Sequence, residues 1–439
     1  MLRTHYANQI TPQMDGEEVT IAGWLHEVRN IGKIAFMLVR DHTGIVQVIA
    51  KKGVVADEII DKMNMPKESV VLVTGIVKAS KESKKGFELV PKNIENLNPL
   101  SAPIPFEVTG KVPADMDVRL DYRYIDLRRA ETTAIFNIQS TILSSFREFL
   151  VNENFQEIRP TSLVEAATEG GSDLFSVDYF EKKAYLVQSP QLYKQLAVIG
   201  GMDRVFMVTP VFRAEKHNTV YHLNEATQMD IEMGFADHED AIAMLKKTIL
   251  HVVKEVEKKN SKDIELLNQN VDSESDRIDL SKMSSVYDMT YEDAIEELRA
   301  QGTEIKFGDD LGRAEEEKLC KMHGDLVLVR KYPTMLRSFY TMPSSDDPKV
   351  SNSYDLLFRG LEILSGAQRI HKADMLIDAL NKRGIDPKNF EFYINAFKRG
   401  APPHAGWSIG LERLTMKITG MSNIRECSMF PRDRVRLYP

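Results

Sequence analysis

RVFMVTPVFRAEKHNTVYHLNEATQMDIEM, Arg204 to Met233, decides how this chain is read. RVFMVTPVF alternates like a buried strand. The return segment puts Met229, Ile231 and Met233 on one side and Gln228, Asp230 and Glu232 on the other. Buried charge is costly unless paired or liganded, so a strand face this polar must line a cavity. Arg213 and Glu215 leave the first strand on one side, KHNTVY forms a polar loop, and His222 starts the returning strand. An arginine there can clamp a phosphoryl group or a carboxylate through parallel N–H donors; a ladder of structural salt bridges is the other reading. His217 and His222 have no further ligands nearby for a metal.

Upstream, residues 1–100 read as five short strands, EVTIAGWLHEV, KIAFMLVRD, GIVQVIA, SVVLVTGIVKA and GFELVPKNIENL. A helical stretch, VVADEIIDKM, follows the third, which is the layout of an OB-fold barrel, a frequent binder of oligonucleotides. Phe36 and Gln47 lie on consecutive strands with Arg29 just before. A ring can stack a splayed base and an amide can read its edge, although Phe36 also shares the alternation of Ile34 and Leu38 expected of core. Residues 101–130 read as a hinge. AIFNIQSTILSSFREFLVNEN then opens a second domain, 131–439, as a long amphipathic helix. Polar-faced strands alternating with helices predict a mainly antiparallel sheet flanked by helices, an α+β class overall. Residues from about 260 to 350 read as an inserted stretch of helices and turns in which no chemistry is seen.

The 439 residues suit two or three domains, and 43% hydrophobic content is ample for a core. No apolar run approaches the ~20 residues of a membrane span, and MLRTHYANQITPQ lacks an apolar signal core. Cys320 and Cys427 suit a reducing compartment, so a cytoplasmic protein is expected. The net charge of −8 argues against a general nucleic-acid coat. It leaves room for a local basic surface such as Lys78, Lys81, Lys84 and Lys85.

Four more stretches carry candidate chemistry. In GWSIGLERLTMKITG a strand runs into a helix at Gly410, with Glu412 and Arg413 in the first turn, where anions are favoured. In RGLEILSGAQRIHK, Glu362 at a strand end could hold Mg²⁺ together with substrate phosphates, and Arg369 could pair with a substrate carboxylate. ATEGGSDLF holds Gly170-Gly171, suited to a lid or a simple turn. In VQSPQLYKQL, Gln188, Ser189, Gln191 and Lys194 bracket a corner into a helix beginning near Pro190, from which Lys194 could point back at an anion.

These residues carry a resemblance. FRAE followed by HLNEA resembles motif 2 of the class II aminoacyl-tRNA synthetases, GLERL resembles motif 3, and NFQEIRPTSL resembles motif 1. With an OB domain in front, the order resembles the subclass for aspartate, asparagine and lysine. ATEGGSDLF, QSPQLYKQ and SGAQR are most similar to the aspartyl-tRNA synthetases of the archaeal type. The resemblance spans essentially the whole chain.

It implies an enzyme that activates L-aspartate with ATP and Mg²⁺ and transfers it to tRNA(Asp). By resemblance, Arg213 binds the α-phosphate and the aspartate α-carboxylate, and Glu215 the adenine amino group. Ala214, Tyr221, His222, Leu223, Gly410, Leu411 and Glu412 complete the ATP site, and Arg413 takes the γ-phosphate. Glu362 and Ser365 hold Mg²⁺. Glu169 reaches the substrate amino group, Arg369 and Lys194 grip the side-chain carboxylate, and Ser189, Gln191, Gln228 and Asp230 complete the pocket. Arg29, Phe36 and Gln47 read the anticodon. His26, where selective relatives tend to carry a bulkier aromatic, implies tolerance of tRNA(Asn) as well. Lys84 points the other way, and the tolerant reading is kept.

Motif 1 supports a homodimer in this family, yet it reads Pro160-Thr161 here where Thr-Pro is usual. Tyr221 stands where relatives often carry Arg, and Ser408 and Ala367 stand where glycine is common. An asparaginyl-tRNA synthetase is the nearest rival reading, which Lys194 opposes. An asparagine synthetase on the same fold is opposed by the OB domain, and a silent nucleic-acid-binding paralogue by Arg213, Glu215, Glu362, Arg369 and Arg413 together.

Overall fold

The structure, a computed structural model, describes residues 1–165, 174–216, 218–269, 271, 273 and 277–439. Its contacts divide the chain into two compact units, Met1–Ala114 and Asp115–Pro439. The division falls inside the stretch expected as a hinge, and residues after it already form short helices of the second unit.

The first unit is a closed five-stranded barrel of β1 (Glu18–Ile31), β2 (Ile34–Asp41), β3 (Gly44–Lys51), β4 (Val70–Ala79) and β5 (Phe87–Asn98), with α1 (Asp57–Asp61) after the third strand. Alternation closes it: Ile21, Leu25, Met37, Val39, Val48, Val73 and Leu89 fill the interior while their neighbours face out. Phe36 is on the outer face with Ile34 and Leu38, so the core set of this strand is Ala35, Met37 and Val39.

The second unit begins with α2 (Met116–Asp121), α3 (Arg123–Asp126) and α4 (Ala130–Asn152), followed by β6 (Gln156–Glu157). A small sheet comes next, β7 (Leu163–Val164), β8 (Ser176–Tyr179) and β9 (Lys182–Leu186), then α5 (Gln191–Ile199). The opening hairpin is β10 (Arg204–Phe212) and β11 (Glu225–Gly234). Its return strand therefore begins at Glu225 and not at His222. The chain continues through α6 (His238–Lys259), α7 (Ser261–Asn268), β12 (Tyr287–Thr290), α8 (Tyr291–Ala300), α9 (Arg313–His323) and β13 (Leu326–Arg330). It ends with β14 (Ser353–Phe358), β15 (Leu361–Gln368), α10 (Ala373–Lys382), α11 (Glu391–Phe397), β16 (His404–Gly410) and α12 (Leu411–Thr419).

Eight strands form one sheet in the order β12-β13-β14-β15-β16-β11-β10-β6. All neighbours are antiparallel except at the two edges, β12 with β13 and β10 with β6. The apolar side of the central strands, including Met229, Ile231, Trp407, Ile409 and Leu364, packs under α4, α6 and α12. Ile138, Ile142 and Phe146 of α4, spaced at helical period, are fully buried there. The expected α+β architecture is present. The inserted stretch does more than decorate it, because β12 and β13 lengthen the sheet and α8 and α9 cover that end.

Candidate active site

The polar side of the sheet is set by register. Gln228 stands opposite Gly410, Asp230 opposite Ser408, and Glu232 opposite Gly406; on the other flank of β16, Ser365 pairs with Ser408 and Ala367 with Gly406. Long acidic and amide side chains on β11 thus face small ones on β16 and β15. Gly406 is needed for this: a Cβ there would lie 2.2 Å from the Ile231 carbonyl oxygen and 2.4 Å from a Glu232 carboxylate oxygen.

Above this face lies a cavity of ≈ 170 Å³. Arg213, Glu215, Tyr221, His222 and Leu223 line it from the hairpin loop, with Gln228 on β11; Glu362 and Ser365 line it from β15, and Gly410, Glu412 and Arg413 from the junction of β16 and α12. Arg213 is partly exposed, 3.9 Å from Glu215, and its Nε has no partner among the described residues. Asn224 closes the loop by donating to the carbonyls of Arg213 and Glu215 at 2.6 and 3.1 Å. Thr219 Oγ1 and His222 Nδ1 are 2.6 Å apart. Arg413 donates to the Glu362 carbonyl at 2.9 Å and stands 4.0 Å from its carboxylate.

Three of the residues expected at the ATP site are placed differently. Ala214 does not line the cavity. Leu411 is buried in the core beneath the sheet, because the first helical residue after Gly410 turns inward. Glu412 reaches the cavity wall but is only 7% exposed, and both its oxygens accept from the Thr227 backbone N–H at 3.1 and 3.0 Å. Burial pushes its carboxyl up to about 7, against the pull of those bonds. Its evident work is to tie α12 to β11.

Glu362 owes its position to a bulge. Leu364 pairs with Leu356 and Glu362 with Leu357, so Ile363 is the extra residue. Positions 362 and 365 of an unbroken strand would face opposite sides of the sheet. The bulge turns Glu362 back to the cavity side, beside Ser365 and Asp355, which face each other across β14 and β15. Arg337, from the inserted stretch, grips Asp355 with two bonds of 3.0 and 2.6 Å and reaches Ser365 Oγ at 3.3 Å. Glu316 of α9 accepts from the Glu362 backbone N–H at 3.1 Å. Its own carboxyl is pushed up to about 8 by burial and then by Glu362. The surrounding protein and then Asp355 likewise push Glu362 up. Among the described residues no three His, Cys, Asp or Glu gather as a closed metal cage. Glu362 and Ser365 on an open cavity wall, with Asp355 behind them, do fit a Mg²⁺ ion that takes its remaining ligands from water and phosphate.

Arg369 and Lys194 differ most from expectation. Neither lines the cavity as an uncompensated cation. Lys194 is fully buried and donates to Asp230 at 2.7 Å and to the Trp407 carbonyl at 3.2 Å, with Glu232 at 3.6 Å. Arg369 donates to both oxygens of Glu232, at 3.0 and 3.2 Å. Burial would raise the Glu232 carboxyl, but Arg369 and Lys194 outweigh it and hold the group below its ordinary value. Ser408 Oγ donates to Asp230 at 3.1 Å. The four charges cancel, which is what makes their burial tolerable. Nearby, Ser189 Oγ accepts from the Gln191 backbone N–H at 3.3 Å. Among the described residues Gln191 Nε2 and Gln228 Oε1 are buried without partners, hydrogen-bonding groups left over for a ligand.

Glu169, with Gly170 and Gly171, and His217 lie outside the described residues. Sequence reasoning missed Arg337, Glu316, Asp355 and the buried role of Glu232. Asp355 had a readable signal, a lone acid in the apolar run SYDLLF. Arg337 and Glu316 had none, since only the fold carries them to β15.

On the barrel, a hollow of ≈ 610 Å³ is lined by Arg29, Phe36, Gln47 and Lys84, together with Glu27 and Lys85. Gln47 donates to Glu88 at 2.8 Å. His26 does not share the hollow: it occupies a bulge of β1 and sits 2.9 Å from Arg40, where burial and then Arg40 hold its pKa below the ordinary value.

Comparison with known proteins gives a consistent picture. Residues 115–434 match the family described as tRNA synthetases class II (D, K and N), and residues 19–97 match the OB-fold nucleic acid binding domain. The chain is 44% identical over its full length to the aspartate–tRNA(Asp/Asn) ligase of Methanocaldococcus jannaschii, covering 98% of that protein. It is 43% identical to the protein of the same name from Methanopyrus kandleri, covering all of it. Among solved structures it resembles the asparaginyl-tRNA synthetase of Pyrococcus horikoshii complexed with asparaginyl-adenylate, with TM-score 0.93, 33% identity and full coverage of both chains. It also resembles the aspartyl tRNA synthetase of Entamoeba histolytica, with TM-score 0.88, 34% identity, and coverage of 99% of this chain and 92% of that one.

Proposed function

The chain belongs to the class II tRNA synthetases of the D, K and N group, and from that premise we propose that it is an aspartate–tRNA ligase. It joins L-aspartate to ATP as aspartyl-adenylate and passes the aspartyl group to the 3′ end of tRNA(Asp) and, in the tolerant reading, of tRNA(Asn). The observation that carries this is convergence: stretches around Arg213, Glu362 and Arg413, far apart in the chain, wall one cavity above a buried ionic quartet.

The chemistry asks for little beyond positioning and charge. An oxygen of the aspartate α-carboxylate attacks the α-phosphorus of ATP, the bond to the β-phosphate oxygen breaks, and pyrophosphate leaves. The attacking oxygen is already an anion, so no protein base is required. Arg213, its Nε unpartnered among the described residues, is assigned the α-phosphate and α-carboxylate, and Glu215 the adenine amino group. Tyr221, His222 and Leu223 shape the nucleotide side, and Arg413 meets the γ-phosphate. Glu362 and Ser365 would hold Mg²⁺, which when bound offsets phosphate charge. Ser189, Gln191 and Gln228 are assigned the amino-acid backbone. Arg369 has two of its five N–H groups on Glu232, which leaves donors for a β-carboxylate. An asparagine side chain would set its own NH₂ against them. The barrel hollow holds the anticodon, and the reading includes a cytoplasmic homodimer.

Pyrophosphate exchange into ATP, run in parallel with aspartate, asparagine and lysine, tests the activation step. Exchange with aspartate alone is expected, and exchange driven by asparagine would replace the substrate assignment. Charging purified tRNA(Asp) and tRNA(Asn) then tests the acceptor. Failure with tRNA(Asn) would remove the tolerant reading and leave the rest.

A further inference from the structure

The loop that joins β10 to β11 is held from outside by a segment two hundred residues away. Arg425 is the centre of this hold. Its side chain is 9% exposed, and its Nε donates to Asp433 at 2.5 Å. Its Nη1 donates to the Thr219 carbonyl at 3.1 Å, and its Nη2 donates to Asn218 Oδ1. Arg434 donates to the Lys216 carbonyl at 2.9 Å. Two backbone bonds join the same pieces, Ile424 N–H to the Val220 carbonyl at 2.9 Å and Asn224 N–H to the Arg432 carbonyl at 2.8 Å.

Loop carbonyls with no regular secondary structure around them must find donors or water. Here they find two guanidinium groups. A planar fork of five donors suits such a junction, because it can satisfy a carboxylate and a carbonyl in fixed directions at once. The loop so held carries Tyr221, His222 and Leu223 on the cavity wall, and Ile424 of the holding segment lines the same cavity.

We propose that Asn423–Arg434 is a clasp that fixes the nucleotide wall of the active site, and that Arg425 is a positioning residue for ATP. The clasp does not reach the amino-acid side: Lys194, Asp230, Glu232 and Arg369 are held by one another and by β11, β15 and β16. The inference rests on the ATP-dependent reading above and adds an asymmetry to it. Loosening the clasp weakens nucleotide binding and leaves amino-acid binding in place.

The test uses Arg425→Ala and, as a pair of exposed side chains whose loss leaves the core intact, Asn218→Ala with Arg434→Ala. The KM for ATP is expected to rise about tenfold in the first and about threefold in the second, while the KM for aspartate stays within twofold; Arg425→Lys, keeping the charge near Asp433, is expected to fall between Arg425→Ala and wild type. An unchanged ATP KM in the Asn218/Arg434 variant, or ATP and aspartate KM rising together, would overturn the clasp. Titration of Mg-ATP alone into wild type and variants separates this from the substrate assignment. If no exchange occurs with aspartate, that assignment fails, and the clasp is still judged by whether the variants weaken nucleotide binding.

Discussion

Arg369 and Glu232 share two hydrogen bonds, and neither side chain is more than 5% exposed. Lys194 approaches the same carboxylate at 3.6 Å. Replacement Glu232→Gln leaves two buried cations facing the single charge of Asp230. Removing one member of such a pair typically costs ~3–5 kcal/mol. Urea unfolding should show a loss in that range, and a loss below ~1 kcal/mol would mean that water reaches this cluster.

Gly406→Ala should be more damaging than its size suggests. The new methyl would meet the Ile231 carbonyl at 2.2 Å and Glu232 at 2.4 Å, and the carbonyl belongs to a paired strand that cannot yield alone. A stability loss of about 3 kcal/mol, the upper part of the overpacking range, is expected. Pyrophosphate exchange per folded molecule should fall with it, because β16 carries Ser408 and Gly410 to the site.

The Glu412 carboxyl makes stability depend on pH in a defined direction. Its folded pKa, pushed up to about 7, exceeds the ordinary 4.5, so the folded state binds the proton more tightly. Stability from this group is full below about pH 4.5 and declines as pH rises towards 7, by up to ~1.4 kcal/mol per unit. Glu412→Gln keeps an acceptor for the Thr227 N–H and cannot ionise. Its stability profile should be flatter than wild type between pH 5 and 8, as followed by thermal melting across that range; parallel profiles would assign the burial effect elsewhere.

Phe36→Ala separates the two units by readout. Its ring lies on the outer face of the barrel, so the interior of Met37, Val39 and Val48 is untouched. Loss of one base–aromatic stack, ~1–3 kcal/mol, should raise the KM for tRNA at least about fivefold. Pyrophosphate exchange without tRNA should remain at the wild-type rate. A tRNA KM equal to wild type would take the anticodon off this hollow.

Much of this architecture was readable from side-chain period. Gln228, Asp230 and Glu232 alternate with Met229, Ile231 and Met233, and the sheet does place them on opposite faces. The five barrel strands and the Gly410 junction were readable for the same reason, since each is a local pattern. What stayed hidden depends on who meets whom. Lys194 and Arg369 read as free cations because nothing in the letters pairs them with Asp230 and Glu232. Arg337 and Glu316 read as part of an inert insertion because only the added strands β12 and β13 bring that stretch beside β15. His26 read as part of the anticodon surface because a bulge in β1, which turns it to Arg40, leaves no trace in composition.

The extra residue at Ile363 has a consequence for anyone editing this chain. Adding one amino acid to β14 opposite it, between Leu356 and Leu357, would look like the mildest of changes, a lengthening that keeps every polar letter. It would give Ile363 a partner, straighten the pleat and deliver Glu362 to the oily side of the sheet, the side of Leu364. At this point in the chain, spelling matters less than spacing.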